Sequence, residues 1–366
     1  MVVATHVCRY WRSTLISAPC LWTKIRCHNL DCTATYLERS KSAPIYVVAR
    51  GSTSVVPHSD SALELVIPHL ERVRSILSSF GEPLQAISKF RRPAPLLHHL
   101  DIFRRHFESM DVDEALDLDI VWGLLSSAPH LQHVSISMPD AGTPGVTPIP
   151  HIHLNSLRFF KLTSGPVLSR AIPRIKAPQL KELAIVLLPT VVRVGTIADL
   201  LPRDSYPLMT EVTSMEFSAG PGYNETKLEG EDIKVTINTH FQHLADISNF
   251  SNKTSFSFAQ ITRLKLTMMG GPFAWRIGEF TNLQWLDLTS FMDDPEILSA
   301  LSSSPLSVPR VPCPHLKEVT IHFYKLATCI VDSLKQMVKS RKEAGNPLAL
   351  FVGLPSGLEE IRRRRA

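Results

Sequence analysis

One pattern, apolar-x-x-apolar-x-apolar, recurs eight times and constrains most of this 366-residue chain. Its first four copies are Leu97, Leu100, Ile102; Leu131, Val134, Ile136; Leu157, Phe160, Leu162; and Leu180, Leu183, Ile185. Four more follow as Val212, Met215, Phe217; Ile261, Leu264, Leu266; Leu283, Leu286, Leu288; and Leu316, Val319, Ile321. Residues two apart on an extended chain point to one face, so the last two apolar positions of each copy specify a short strand with one buried face. Successive copies begin 22 to 49 residues apart, room for a strand and a returning segment. A single copy cannot bury its apolar face alone, so the copies must fold as a stack.

The intervening segments fit that reading. Glu114 to Ser127 carries Leu116, Ile120 and Leu124 at fourfold spacing, and Cys329 to Lys342 places Ile330, Leu334 and Val338 on one face. Pro295 to Ser303 is a further helix candidate. Strands alternating with helices imply an α/β fold with a parallel sheet and helices on its outer side. The pattern looks like a degenerate leucine-rich-repeat solenoid. Ile233, Val235 and Ile237 suggest an extra strand, and the polar stretch Gly220 to Asp232 predicts a loop. Ala141 to Pro150 and Ser302 to Pro314, rich in proline, read as connections. Ser52 to Asp60 is expected to separate a strand at Ile45 to Ala49 from a helical segment at Ala62 to Phe80.

The N-terminal segment has its own logic. Val7, Trp11 and Leu15 are four residues apart, and Cys8 precedes Trp11 by three, so all share one helical face while Arg9 and Arg12 look outward. Pro19 suits a first helical position, and Leu21 and Trp22 follow in a turn that can fold back on the first helix. These residues predict a compact hydrophobic wedge. The string VCRYWRSTLISAPCLWTKI resembles the second half of an F-box, in which a V-C-R-x-W-R helix precedes a P-x-L-W helix. The following TATYLERSKSAPIYVV resembles the stretch trailing the F-box in many fungal members, so the resemblance spans roughly residues 5 to 48. The family's opening Leu-Pro-x-Glu helix has no counterpart before the match. In the family that helix supplies much of the contact with the adaptor of cullin-RING ubiquitin ligases, so the resemblance implies weak or absent adaptor binding here.

Composition narrows the remaining classes. A hydrophobic fraction of 44% and a charged fraction of 20% suit a globular protein rather than a disordered one. No apolar run reaches the roughly 20 residues of a membrane span, and no basic, apolar and small-residue series marks a secretory leader, so the expected location is cytoplasmic, nuclear or both. Cys20, Cys27, His28 and Cys32 match no common zinc-finger spacing, so buried free thiols are expected and no metal is assigned. The net charge of +5 is modest, its basic residues are scattered apart from Arg362 to Arg365, and no basic stripe interleaves with stacking aromatics. Nucleic acid is therefore not the expected partner. The histidine pairs His98/His99, His151/His153 and His240/His243 form no His-Glu-x-x-His motif, and no phosphate-binding loop or nucleophile elbow is present. Neither a catalytic residue nor a cofactor is assigned.

The sequence thus divides into a partial F-box at residues 1–30, a connecting helix, strand and linker at 31–60, an irregular repeat array at 61–350 and a basic tail at 351–366. Resemblance implies a non-catalytic subunit that holds a protein target on its repeats while the box docks on an adaptor; a repeat scaffold without a ligase role is the alternative. The wedge of Val7, Cys8, Trp11, Leu15, Leu21 and Trp22 would either dock or cap the array. Candidate target contacts lie between the apolar anchors: Gln132, His133, Lys181, Glu182, Gln284, Trp285, Lys317 and Glu318.

Overall fold

The computed structural model describes residues 8–50, 58–80, 90, 92–104, 118–137, 151–164, 174–187, 208–220, 223–239, 256–268, 274–290, 296–302, 312–323, 328–354 and 358–362. Both of its units are mixed α/β and built on mostly parallel sheets. One is formed mainly by residues up to 183 and the other mainly by residues from 206 onward.

In the first unit the sheet runs β1 (Lys24–Arg26), β2 (Ile45–Arg50), β3 (Val73–Phe80), β4 (His99–Arg104), β5 (His133–Ser137) and β7 (Phe159–Ser164), each parallel to the next. The two-residue strands β6 (Ile152–His153) and β8 (Ile175–Lys176) pair separately. The division falls within β9 (Glu182–Leu187), whose entry continues from β7: the Lys181 and Glu182 N–H groups both donate to the Arg158 carbonyl. Described helices are α1 (Arg9–Ser17), α2 (Leu30–Ser40), α3 (His58–Glu64) and α4 (Leu118–Ser126).

In the second unit β10 (Val212–Gly220), β13 (Arg263–Met268), β14 (Trp285–Ser290), β15 (Glu318–Phe323) and β16 (Ala349–Leu354) are successively parallel. On one side β11 (Tyr223–Gly230) and β12 (Lys234–Thr239) extend the sheet by antiparallel pairing, and on the other β17 (Leu358–Arg362) pairs antiparallel with β16. Helices α5 (Glu296–Leu301) and α6 (Thr328–Glu343) are its described α-helices, beside 3-10 turns at Leu208–Glu211, Phe258–Gln260 and Ala274–Glu279.

Each apolar unit of the sequence becomes a strand whose inner face is buried, and each has a fourth anchor three residues earlier. Ala94, Leu97, Leu100 and Ile102 are all at most 1% exposed, as are Ala128, Leu131, Val134 and Ile136. The same spacing buries Phe258, Ile261, Leu264 and Leu266, then Phe280, Leu283, Leu286 and Leu288, then Cys313, Leu316, Val319 and Ile321. A tight turn links the first two anchors: the N–H of Leu97, Leu131, Leu180, Leu283 and Leu316 donates to the carbonyl of Ala94, Ala128, Ala177, Phe280 and Cys313 respectively. The next residues then bond to the neighbouring strand. Gln132 and His133 donate to the His98 carbonyl, and Gln284 and Trp285 donate to that of Thr262. Burying the anchors therefore leaves these backbone groups satisfied.

Two buried arginines tie connections down. Arg72 donates to Leu37 O (3.1 Å), Ser40 Oγ (2.9 Å) and Ala43 O (3.2 Å), closing the carboxyl end of α2 with a positive charge. Arg341, fully buried on α6, donates to the carbonyls of Pro312 (2.8 Å) and Cys313 (2.9 Å). Past α6, Gly345 takes φ of 78°, and bonds from Gly345 N to Lys342 O and from Asn346 N to Arg341 O end the helix.

Several expectations are met. The strand at Ile45 to Ala49 and the helices near 118–126, 296–301 and 328–343 are present. Others are corrected. The expected helix across Ala62 to Phe80 stops at Glu64; a 3-10 turn over Ile67–Arg72 contains Pro68, and Val73–Phe80 is strand, with Leu70, Val73 and Ile76 buried as a further anchor set. The predicted loop at Gly220 to Asp232 is mostly β11. Its polar sequence alternates, with Thr226 and Leu228 buried while Glu225, Lys227 and Glu229 face the other side, and burial of two inward residues suffices for a strand. Within 351–366, β17 occupies Leu358–Arg362. The connection at Ala141 to Pro150 lies outside the described residues.

The fourth anchor gives a test. Phe280→Ala should lower stability by about 3 to 5 kcal/mol through cavity formation, whereas Gln284→Ala at the strand entry should change it by no more than about 0.5 kcal/mol. Chemical denaturation of both variants measures the contrast.

Candidate binding surface

The anchors fix which residues face the other way. In the first unit, strand register aligns Tyr46, Ser75, His99, His133 and Phe159 in one row. A second row holds Val48, Leu77, Asp101, Ser135 and Lys161, and a third includes Ser79, Phe103, Ser137 and Thr163. Tyr46 and Phe103 are 44% and 42% exposed, unusual for large apolar rings.

The first row stacks its rings. His99 and His133 lie 4.1 Å apart and 9° from parallel, and His133 and Phe159 lie 4.1 Å apart and 3° from parallel. Parallel strands spaced about 4.8 Å apart bring residues of equal register to this separation. Partial burial, followed by the neighbouring His99, lowers the His133 imidazole to about 4, while Asp101 opposes the shift. Burial also lowers His99, again against Asp101. Both rings are therefore neutral near pH 7 and stack without charge repulsion. Just before this row lie Arg74, His98, Gln132, Arg158 and Lys181, a largely basic edge at the strand entries. His98 also stacks on His130, with centroids 6.2 Å apart.

The second unit exposes a different chemistry. Its middle row aligns Thr236, Lys227, Glu216, Lys265, Asp287, Thr320 and Phe351. Lys265 lies 2.9 Å from Glu216, and Lys227 lies 3.9 Å from Glu216 and 2.7 Å from Glu225. His322 lies 3.7 Å from Asp287, whose carboxyl is raised by burial against the pull of His322 and Lys265. In the adjacent row the Arg263 guanidinium covers the Trp285 ring at 3.8 Å. Partial exposure makes each surface ion pair a small contributor, so this face is better described by its alternating charge than by its strength.

The residues anticipated from sequence fall into three groups. Gln132, His133, Lys181 and Glu182 lie in the first unit, at strand entries or in the outward row, with His133 at the centre of the stack. Gln284, Trp285, Lys317 and Glu318 lie in the second; Gln284 Oε1 accepts from Lys317 Nζ at 3.4 Å, and Trp285 is 38% exposed beneath Arg263. The wedge closes in part: the Pro19 turn folds back so that Trp22 bonds to α1, while the first helix stays largely exposed. Cys8 is exposed and caps α1 by accepting from the Trp11 N–H, Leu15 and Leu21 are half-buried, and Val7 lies outside the described residues.

Only the burial of Trp11 differs from expectation: α1 is helical as read but buries none of its residues, and Trp11 and Tyr10 are 53% and 75% exposed. The extended backbone at Ala18 and the turn opened by Pro19 turn Trp22 into the space between α1 and α2. There it is fully buried, donates through Nε1 to Leu15 O (2.7 Å), meets Tyr36 edge-on at 5.0 Å and lies 4.4 Å beneath the Arg39 guanidinium.

Sequence reasoning missed Tyr46, Arg74, Ser75, His99, Asp101, Phe159 and Lys161. The interval between anchors, applied to every unit, would have found His99 and Phe159, and the position between the last two anchors would have found Asp101 and Lys161. Ser75 and Arg74 needed the pairing of β3 with β2. Cysteine chemistry is subdued: Cys27 and Cys313 are buried, and burial pushes each thiol up to about 12. Among the described residues, no three potential metal ligands cluster, and no helix is long and apolar enough to cross a membrane. The chain matches no known family model and no curated protein.

Two measurements follow. Trp22→Ala should cost about 3 to 5 kcal/mol, whereas Trp11→Ala should shift stability by no more than about 0.5 kcal/mol, as thermal melts would show. The lowered His133 pKa also has a sign. An unfolded-state histidine protonates near pH 6.5, before His133 does in the fold, so the associated stability is complete above that pH and is lost as pH falls toward 4. Partial exposure keeps the slope below the one-proton limit of about 1.4 kcal/mol per pH unit. His133→Phe, which keeps a flat ring, should flatten the decline between pH 7 and 5 in urea melts.

Proposed function

We propose that the chain is a non-catalytic recognition protein of the F-box kind that binds a protein target on the outward rows of its repeat-like sheets. The observation carrying this reading is the first unit's face: in-register rows of rings and charged groups, including half-exposed Tyr46 and Phe103, held between fully buried anchors. Loops can shift, whereas side chains on paired strands are held in place, which suits selective contact with a folded or extended partner. The V-C-R-x-W-R and P-x-L-W strings support the ligase part of the proposal, with Tyr10 and Trp11 on α1 as exposed aromatic contacts for an adaptor. Transfer chemistry would belong to other subunits.

A second reading is favoured by Trp22. Its ring lies in the core rather than on a docking surface, as suits a cap on the sheet of a repeat scaffold with no ligase role. Affinity capture with the intact chain and mass spectrometry separates the two. Adaptor and cullin peptides support the ligase reading, and their absence beside a reproducible target supports the scaffold. For either reading, Lys161→Glu in the exposed middle row should reduce target capture about tenfold while leaving the melting curve unchanged. Equal capture by the variant contradicts recognition through this face.

A further inference from the structure

The stacked row of the first unit is interrupted once. Tyr46, Ser75 and His99 are consecutive in register, and only Ser75 carries no ring. Two strand spacings, roughly 9.6 Å, therefore separate the Tyr46 and His99 positions. That span admits one flat ring in van der Waals contact with a ring on either side. A cavity of about 390 Å³ lies here, lined by Tyr46, Arg74, Ser75, His98 and His99. His99 presents to it the ring face opposite His133, since the other face is covered at 4.1 Å.

The backbone adds a charged group at the mouth. Between Ile45↔Val73 and Tyr46↔Ser75 the register shifts by one residue, so Arg74 is an insertion in β3. Such bulges re-aim side chains and recur beside binding sites. Arg74 is exposed, has no ion-pair partner among the described residues, and begins the basic edge continued by His98, Arg158 and Lys181.

We propose that this slot receives one aromatic side chain of a bound peptide, sandwiched between Tyr46 and His99 over Ser75, with Arg74 pairing with a carboxylate beside it. The inference rests on the protein-recognition reading above and gives it a sequence preference: an aromatic residue flanked by acidic ones. A run of stacked nucleobases fits less well. Past the slot, the ring faces of His99, His133 and Phe159 are turned toward one another, leaving edges rather than a platform for successive bases.

The probe is an acetylated peptide with one 5-fluorotryptophan between glutamates, followed by fluorine NMR against the intact chain, where the native tryptophans are silent. Saturable binding is expected, weakened at least about tenfold by Ser75→Phe, which supplies the missing ring from the strand itself, and kept within about twofold by Ser75→Ala. Arg74→Gln should weaken the acidic peptide about threefold while leaving a neutral analogue unaffected. His99→Ala removes one wall and gives a second loss-of-binding variant should Ser75→Phe fail to fold. Undiminished binding by Ser75→Phe or His99→Ala overturns the slot, as does absence of saturable binding by the native chain. Displacement of the probe by oligothymidine but not by unlabelled peptide assigns the site to nucleic acid and also overturns the proposal. Equal affinity for free 5-fluoroindole-3-acetate assigns it to a small aromatic acid instead. Target capture that persists while the probe fails would leave the recognition reading standing without the slot.

Discussion

Everything on the outward face is a consequence of burial on the inward one. Four anchors at fixed spacing turn the chain into each of the eight repeat strands, and the turn between the first two pairs the second anchor's N–H with the first anchor's carbonyl in most of them. Because side chains alternate along a strand, burying Leu100 and Ile102 obliges His99, Asp101 and Phe103 to face the other way. Parallel pairing of equal registers then gathers residues distant in sequence into rows. A one-residue slip would exchange the two faces, so the apolar anchors protect the outward rows as well as the core.

That coupling explains how similar strands carry different chemistry. In the first unit the row after the strand entry holds Tyr46, Ser75, His99, His133 and Phe159, and its imidazoles are kept neutral enough to stack. In the second the outward positions hold Glu216, Lys265 and Asp287, and the rings give way to ion pairs. The last three anchors of each set are apolar and buried in both units. Variation confined to the positions between anchors can change the chemistry of the outward face without altering how the chain folds.

Much of this was legible in the sequence because apolar periodicity reports burial directly. The eight anchor triplets, the strand at β2 and helices α4, α5 and α6 all carry strong periodic patterns. The first anchor of each set was not evident, since alanine at Ala94 and Ala128, phenylalanine at Phe280 and cysteine at Cys313 share no side-chain type, only burial. Strand β11 was hidden because its NETKLEG sequence is polar and its two inward residues gain their stability from antiparallel neighbours. Trp11 and Trp22 looked equivalent by composition, yet the extended backbone at Ala18 sends one to solvent and the other to the core. The notch over Ser75 depends on which strands are neighbours and on a bulge in β3, and local pattern encodes neither.

The in-register ladder is the most exposed point of this account. Selective isotope labelling of histidine and phenylalanine in the intact chain, read by through-space ring-proton contacts in NMR, tests it directly. Cross-peaks are expected from His99 to His133 and from His133 to Phe159, with ring-current shifts on the shared His133 protons. Histidine signals near their random-coil positions, with no contact joining these three rings, would contradict the register and the surface derived from it.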